Sequence, residues 1–369
     1  MILPAVALFL AAFLVSLAGT FLARRYARRL GLMDDPGHRK VHMVATPRNG
    51  GIGIFWGFAL PLLAGIAVVF AAPPQEITAN SEPHLAFFYL NLGGLRLHAP
   101  LLLLFLGATF GIHLLGLLDD RKPMAPWPKL LAQMGIAAAL VLMGDLLAPG
   151  AFRVLTSLGF WPSAILSILW IVALTNAFNF LDNMDGLSAG VAFTCAGMFL
   201  IASLFNGQWF IAALLLTFMG SVLGFLYFNF PPASIFMGDG GSMVLGFILA
   251  ALTIRTTYYQ PGRQWYAVLM PLFVMAVPLY DLVIVMVLRL VKGRSPMTGD
   301  TNHFSHRLTR HGFSKRAAVL IIYAVTFATG FSAPLLARVD DASALLLAGQ
   351  LLAVLVVIGI LERVGEHTT

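Results

Sequence analysis

Residues 161–187 read W-P-S-A-I-L-S-I-L-W-I-V-A-L-T-N-A-F-N-F-L-D-N-M-D-G-L, an apolar run that ends in a polar ladder. After Leu174 the chain places Asn176, Asn179, Asp182 and Asp185 at strict three-residue intervals. Residues three apart on a helix share a face, so each polar group sits beside the next. The row drifts slowly round the axis, because three residues fall short of a 3.6-residue turn. Gly186 supplies a stopping point for the helix. Amides and carboxylates at the mouth of an apolar helix are costly unless something uses them.

Working outward, the whole chain is as apolar as this run. Its 369 residues are 59% hydrophobic and 11% charged, whereas a soluble domain carries about 25% charged residues. The mean hydropathy is +0.87. An all-α polytopic membrane protein is the class that accommodates so much apolar surface. The single cysteine, Cys195, lies in an apolar run and excludes a disulfide framework or a cysteine metal site. The net charge of +7 invites nucleic acid as a partner, but the basic residues are confined to a few loops, so no nucleic acid is expected.

Met1 to Ala23 is apolar without a preceding basic region, and Arg24, Arg25, Arg28 and Arg29 follow it. That order predicts a first span with its N-terminus outside, not a cleavable signal. Apolar runs predict eleven spans, at about 2–23, 50–72, 99–118, 129–147, 161–180, 187–206, 208–229, 238–255, 266–291, 315–337 and 342–362. Eleven crossings leave the C-terminus in the cytoplasm. This topology puts 18 of the 23 lysines and arginines on the cytoplasmic side, with only Arg96, Arg153, Arg255, Arg263 and Arg338 outside. The chain is read as one domain, 1–369, with cytoplasmic catalytic loops at about 24–49, 119–129, 181–187, 229–241 and 289–316.

Asp119, Asp120, Asp182, Asp185, Asp239 and Asp281 all fall at or inside the cytoplasmic ends of apolar runs. Any one of them is explained equally well as an interfacial acid ending a helix. Six on one side imply a shared hydrated or cation-bearing pocket, since a mid-membrane carboxylate costs about 2.5–3.5 kcal/mol.

Four other stretches accompany the ladder. The first cytoplasmic loop, Gly31 to Ile52, carries Arg39, Lys40, Arg48, His38 and His42, and Thr46-Pro47 and Gly50-Gly51 suggest a rigid turn back into the membrane. It reads either as positive-inside charge or as a contact for an anionic headgroup. Leu117 to Leu130 holds the adjacent Asp119 and Asp120; such a pair needs a cation, supplied by Lys122, Lys129 or a metal. Asn229 to Ser242 reads N-F-P-P-A-S-I-F-M-G-D-G-G-S. Glycines around Asp239 let backbone N–H groups approach a ligand, and Asp239 opens a helix whose N-terminus favours phosphate. A hard oxygen ligand beside a phosphate-accepting turn suits a magnesium-bound diphosphate; a plain turn is the bland alternative. Arg289 to Leu308 gathers Arg294, His303, His306 and Arg307, with Asp300 available to orient a histidine. The three-residue spacing of His303 and His306 raises zinc, but no H-E-x-x-H pattern or cysteine ligand supports it. Phosphate and sugar contacts fit arginine and histidine better.

At these residues the chain resembles the polyprenyl-phosphate N-acetylhexosamine-1-phosphate transferase superfamily. The shared motifs run in the family's order: G-L-x-D-x-P-x-x-R-K-x-H and G-G-I, Leu118-Asp119-Asp120, N-x-x-N-x-x-D-x-x-D-G-L, F-M-G-D-x-G-S, Pro278 to Asp281, Gly293 to Pro296, and D-x-N-H-x-x-H-R-L. The last two look more like the undecaprenyl-phosphate GlcNAc-1-phosphate transferase branch, which initiates O-antigen, teichoic-acid or other cell-surface glycans, than the phospho-MurNAc-pentapeptide translocase branch.

The resemblance implies transfer of an N-acetylhexosamine 1-phosphate from a UDP-sugar to undecaprenyl phosphate, releasing UMP. The implied cofactor is Mg²⁺, with Mn²⁺ as a substitute. The implied place is the cytoplasmic face of a bacterial plasma membrane, among membrane lipids. By similarity, Asp239 and Asn179 hold the metal, Asp185, with Gly186, and Asn229 read the uracil, and Asp119 and Asp120 handle the lipid phosphate. Asp182 lies near the diphosphate, and Lys129 contacts phosphate. His303, His306 and Arg307 face the sugar phosphate, and Arg39, Lys40 and His42 are accessory. Ser305 stands where this branch commonly has a histidine, and Ala45 where the early loop often has proline.

The alternative from another class is an ion-coupled secondary transporter, which also uses broken helices and buried acids. Such sites lie near the midplane between repeats, whereas these motifs cluster at helix ends and the chain shows no convincing internal repeat. A phosphatidyltransferase would need a D-G-x-x-A-R signature, which is absent.

Overall fold

The computed structural model describes residues 2–34, 45–72, 83–256, 258, 264–295 and 303–364. In chain order the helices are α1 (Ile2–Leu30), α2 (Gly51–Ala71), α3 (Pro83–Arg121), α4 (Pro126–Leu147), α5 (Phe160–Leu181), α6 (Leu187–Phe205) and α7 (Trp209–Asn229). They continue as α8 (Asp239–Arg255), α9 (Met270–Val274), α10 (Ala276–Val291), α11 (Phe304–Arg310), α12 (Lys315–Gly330) and α13 (Asp341–Val364). Two short strands, β1 (Met33–Asp34) and β2 (Thr46–Pro47), pair antiparallel, with Met33 opposite Pro47.

Among the described residues nine helices are long and apolar enough to cross a membrane, and a bent pair makes a tenth. That pair breaks by 67° between Trp265–Val274 and Ala276–Val291. The remaining expected span is α8, whose 17 residues sit at the short end of the spanning range. The chain is a multi-pass, all-helical membrane protein.

α8 is the centre of the bundle. From Gly240 to Thr253 it is buried on every face, as a helix apolar all round must be. It packs against α2, α3, α5 and α6, while α1 lies against α2 and α7. With no water in the hydrocarbon layer, isolated hydroxyls turn back on their own helices. Thr175, for example, donates to the Ile171 carbonyl at 2.7 Å. Ser221 instead crosses from α7 to the Ile54 carbonyl of α2 at 2.6 Å.

Because successive helices alternate in direction, the C-terminal ends of α3, α5, α7 and α10 and the N-terminal ends of α4, α6, α8 and α12 come together. A cavity of about 20 Å³ lined by His98, Phe105, Phe210 and Arg255 lies at the other end of the bundle and touches none of the site residues.

Candidate active site

The polar ladder is helical only at its start. α5 ends at Leu181, so Asn176 and Asn179 lie on the helix while Asp182 caps its end and Asp185 lies in the turn beyond. Gly186, with φ of 75°, opens α6 and does not close α5. The break separates the ladder's members by task. Asn176 donates to Gln133 Oε1 at 2.6 Å and to the Val172 carbonyl at 2.8 Å, a contact between α4 and α5 away from the acids. Asn179 turns the other way, donating to Asp239 Oδ1 at 3.0 Å and to Ser242 Oγ at 2.9 Å.

Asp239 is the meeting point. Its second oxygen accepts from Lys129 Nζ, which also donates to Asp119 Oδ2 at 3.0 Å. Of the two lysines available near the acidic pair, Lys129 therefore supplies the counter-charge. Attraction to each carboxylate is about 4 kcal/mol at 4 Å and an effective dielectric of 20. Asp119 keeps its other oxygen for the backbone N–H of Met124 at 2.6 Å, which fixes the proline-rich connection.

Asp120 points the opposite way from Asp119. Its carboxylate accepts from the backbone N–H of Asp239 at 2.9 Å and of Gly240 at 3.0 Å, capping α8 from a neighbouring helix. The free N–H groups expected at this helix start for a phosphate are thus held by Asp120. The glycines serve this contact instead of opening the turn to a ligand. Gly238 has φ of 71°, and a Cβ there would lie 2.3 Å from the Arg48 carbonyl and 2.5 Å from Asp120 Oδ2. A Cβ at Gly116 of α3 would lie 2.4 Å from the Asp239 carbonyl carbon. Arg48 closes the rear, donating to the Asp120 carbonyl and lying 3.8 Å from Asp34. Its guanidinium is turned to protein acceptors.

Among the described residues Asp182 has no hydrogen-bond donor comparable to those of Asp119 or Asp120. Burial, with the carboxylates of Asp239, Asp120 and Asp185 nearby, pushes its pKa well above the usual carboxylate range. Asp185 accepts from the Ala233 backbone N–H at 2.9 Å. Asn229 is buried with its amide spent on backbone, accepting from Gly186 N and donating to the Ile235 carbonyl, both at 2.9 Å. Tyr323 of α12 donates to the Gly186 carbonyl at 2.5 Å, and Arg316 to the Pro231 carbonyl at 3.0 Å. The 182–186 and 230–236 turns are thereby tied into one wall.

The histidine segment joins this wall. Ser305 donates to Asn183 Oδ1, the task found at the position where a histidine was expected. His303 stands edge-on to Phe180, ring centroids 6.0 Å apart, and 6.4 Å from His306. Its Nδ1 is held by Asp281, at 2.8 Å. Burial, then His303 and Arg310, lower the His306 pKa below its usual value. Arg307 is buried in α11. Asp300, Arg39, Lys40 and His42 lie outside the described residues.

Several participants were not singled out from sequence: Ser242, Asn183, Arg316, Tyr323 and, as a histidine partner, Asp281. Asp281 was marked only as one acid among six and as part of a motif. Its i, i+22 relation to His303 carries no helical periodicity that would reveal it.

The fold and site define a class: a polytopic membrane protein whose acids and bases converge at one end of the bundle, away from its midplane. The description "Glycosyl transferase family 4" matches residues 102–257. The chain is 31% identical over 328 residues to the probable undecaprenyl-phosphate N-acetylglucosaminyl 1-phosphate transferase of Bacillus subtilis (strain 168), covering 88% of this chain and 83% of that one. It is 34% identical to the decaprenyl-phosphate N-acetylglucosaminephosphotransferase of Mycobacterium tuberculosis (strain ATCC 25618 / H37Rv), covering 85% and 78%. It is 30% identical to the undecaprenyl-phosphate alpha-N-acetylglucosaminyl 1-phosphate transferase of Escherichia coli (strain K12), covering 84% and 78%. The chain belongs to glycosyl transferase family 4. It is an enzyme of that family, and the transporter reading is set aside.

Proposed function

We propose that the chain transfers N-acetylglucosamine 1-phosphate from UDP-N-acetylglucosamine to undecaprenyl phosphate, at the cytoplasmic face of a bacterial plasma membrane. In net terms an oxygen of the lipid phosphate forms a bond to the sugar-bearing phosphorus. The bond from that phosphorus to the uridylyl oxygen breaks, and UMP leaves. The observation that carries this reading is the junction of Asp119, Lys129, Asp239 and Asn179 at the ends of apolar helices. A membrane-bound acceptor and a water-soluble donor can meet only at such an end.

Both reactants are anions, so the site must supply positive charge. Lys129 meets part of that need and stands close to where a lipid phosphate would arrive. Arg307 and His306, on the same short helix α11, would face the sugar phosphate. Asp185, with one oxygen bonded to the Ala233 N–H, would read the nucleotide through the other, and Asn229 would shape that pocket by fixing Gly186 and Ile235.

The donor set fits magnesium. Among the described residues no three His, Cys, Asp or Glu side chains form a metal cage, and magnesium needs none, since it takes one or two carboxylates and completes its shell with phosphates and water. Asp239 and Asn179 would hold it, and the sharing of the Lys129 ammonium by Asp119 and Asp239 supports a point where positive charge is needed. When bound, the ion would offset charge on the diphosphate.

A panel of UDP-sugars offered with undecaprenyl phosphate tests the reading. UMP release with UDP-N-acetylglucosamine is the expected outcome; no release with any UDP-N-acetylhexosamine contradicts it.

A further inference from the structure

Asp281 lies within α10 and is 1% exposed. A carboxylate so deeply placed costs several kcal/mol unless donors surround it. Two do, both from the segment that opens α11. Oδ1 accepts from the Phe304 backbone N–H at 2.7 Å, and Oδ2 meets His303 Nδ1 at 2.8 Å.

A helix cap would use one oxygen, and the Phe304 contact is such a cap, since His303 sits just before α11 with extended backbone. The second oxygen goes to the imidazole. An ionised carboxylate can only accept, so against Asp281 the shared proton would sit on Nδ1. Nε2 is then the ring nitrogen left over, with no hydrogen-bond partner among the described residues.

The ring is also placed from other sides. Ser305 of α11 is bonded to Asn183, next to Asp182. Phe180, next to Asn179, meets the His303 ring edge-on, and the Arg289 guanidinium lies 5.0 Å over the same Phe180 ring. His303 is thus held beside the ladder by contacts that leave one nitrogen free.

We propose that Asp281 is the positioning residue of His303, fixing Nδ1 as a donor and presenting Nε2 to the sugar-diphosphate substrate. What Nε2 meets rests on the transferase reading above; the tautomer does not.

Two measurements test it. In the full-length protein with labelled histidine, magnetic resonance at neutral pH should show His303 protonated at Nδ1, the signal assigned by its loss in His303→Gln. Protonation at Nε2 alone would overturn the proposal, and this readout stands even if the chain releases no UMP or if Asp281 variants fail to fold. Asp281→Asn should lower kcat for UMP release on the order of 10–100-fold, as loss of an orienting partner does, while KM for UDP-N-acetylglucosamine moves less than about threefold. Asp281→Glu, which keeps the acceptor, should recover part of the loss. In a His303→Gln background the Asp281→Asn change should cost less than about twofold more. Equal losses in both backgrounds would make Asp281 merely structural and overturn the proposal. A parent enzyme that releases no UMP would instead sink the transferase reading.

Discussion

The carboxylate of Asp120 on α3 grips the backbone N–H of Asp239 on α8 at 2.9 Å, so two neighbouring helices set the position of the acid on which the site converges. Asp120→Ala removes two charge-assisted bonds from a buried helix start. The expected cost is about 2–3 kcal/mol, read as a lower melting temperature in detergent, with activity falling as Asp239 loses its placement. Asp120→Asn, which keeps one acceptor oxygen, should lose less of both.

Lys129 is the counter-charge for Asp119 and Asp239. Lys129→Met leaves two close carboxylates facing each other, and a protein destabilised by about 3 kcal/mol is expected, with UMP release lost. Lys129→Arg should fold better than Lys129→Met, since it keeps the charge. Identical melting of the parent and Lys129→Met would show that the pairing contributes nothing.

Gly116→Val tests the close approach of α3 to α8. A Cβ there would lie 2.4 Å from Asp239 backbone atoms, so the turn must move. Helix content by circular dichroism should persist while UMP release falls at least tenfold, because the site and not the bundle is displaced. Full activity in this variant would mean that the contact is not as close as the structure shows.

His306 offers a pH signature. Burial, His303 and Arg310 lower its pKa in the folded state from a usual value of 6.5. Below that value the unfolded chain binds more protons than the folded one, so stability rises with pH across the window. The group's contribution is complete above 6.5 and is lost as pH falls through the folded value. In His306→Gln the melting temperature should fall less than in the parent as pH drops below 6.5.

The meeting of Asn179 with Asp239 was implied only by the family resemblance, but the two motifs that hold them were legible as polar groups at the ends of apolar runs. The same holds for Lys129 as one of two cations near an acidic pair. The span expected at about 161–180 agrees with α5, but the ladder read as helical up to Gly186 overruns it, because the three-residue spacing continues past Leu181 although the helix does not. The capping role of Asp120 was invisible, since its partners are backbone N–H groups on a helix over a hundred residues away. Asp281 was passed over as the histidine partner in favour of Asp300, which is nearer in sequence; the 67° break before α10 is a tertiary feature without a local signal. The bent pair and the short α8 also show why counting apolar runs finds spans more readily than it finds their shapes.

The central claim is that Asp239 organises phosphoryl transfer at the helix ends. The most direct test is exchange of labelled UMP into UDP-N-acetylglucosamine by purified Asp239→Asn with saturating magnesium. The account predicts a variant that inserts and stays folded yet exchanges no label above background. Near-normal exchange by that folded variant would contradict it.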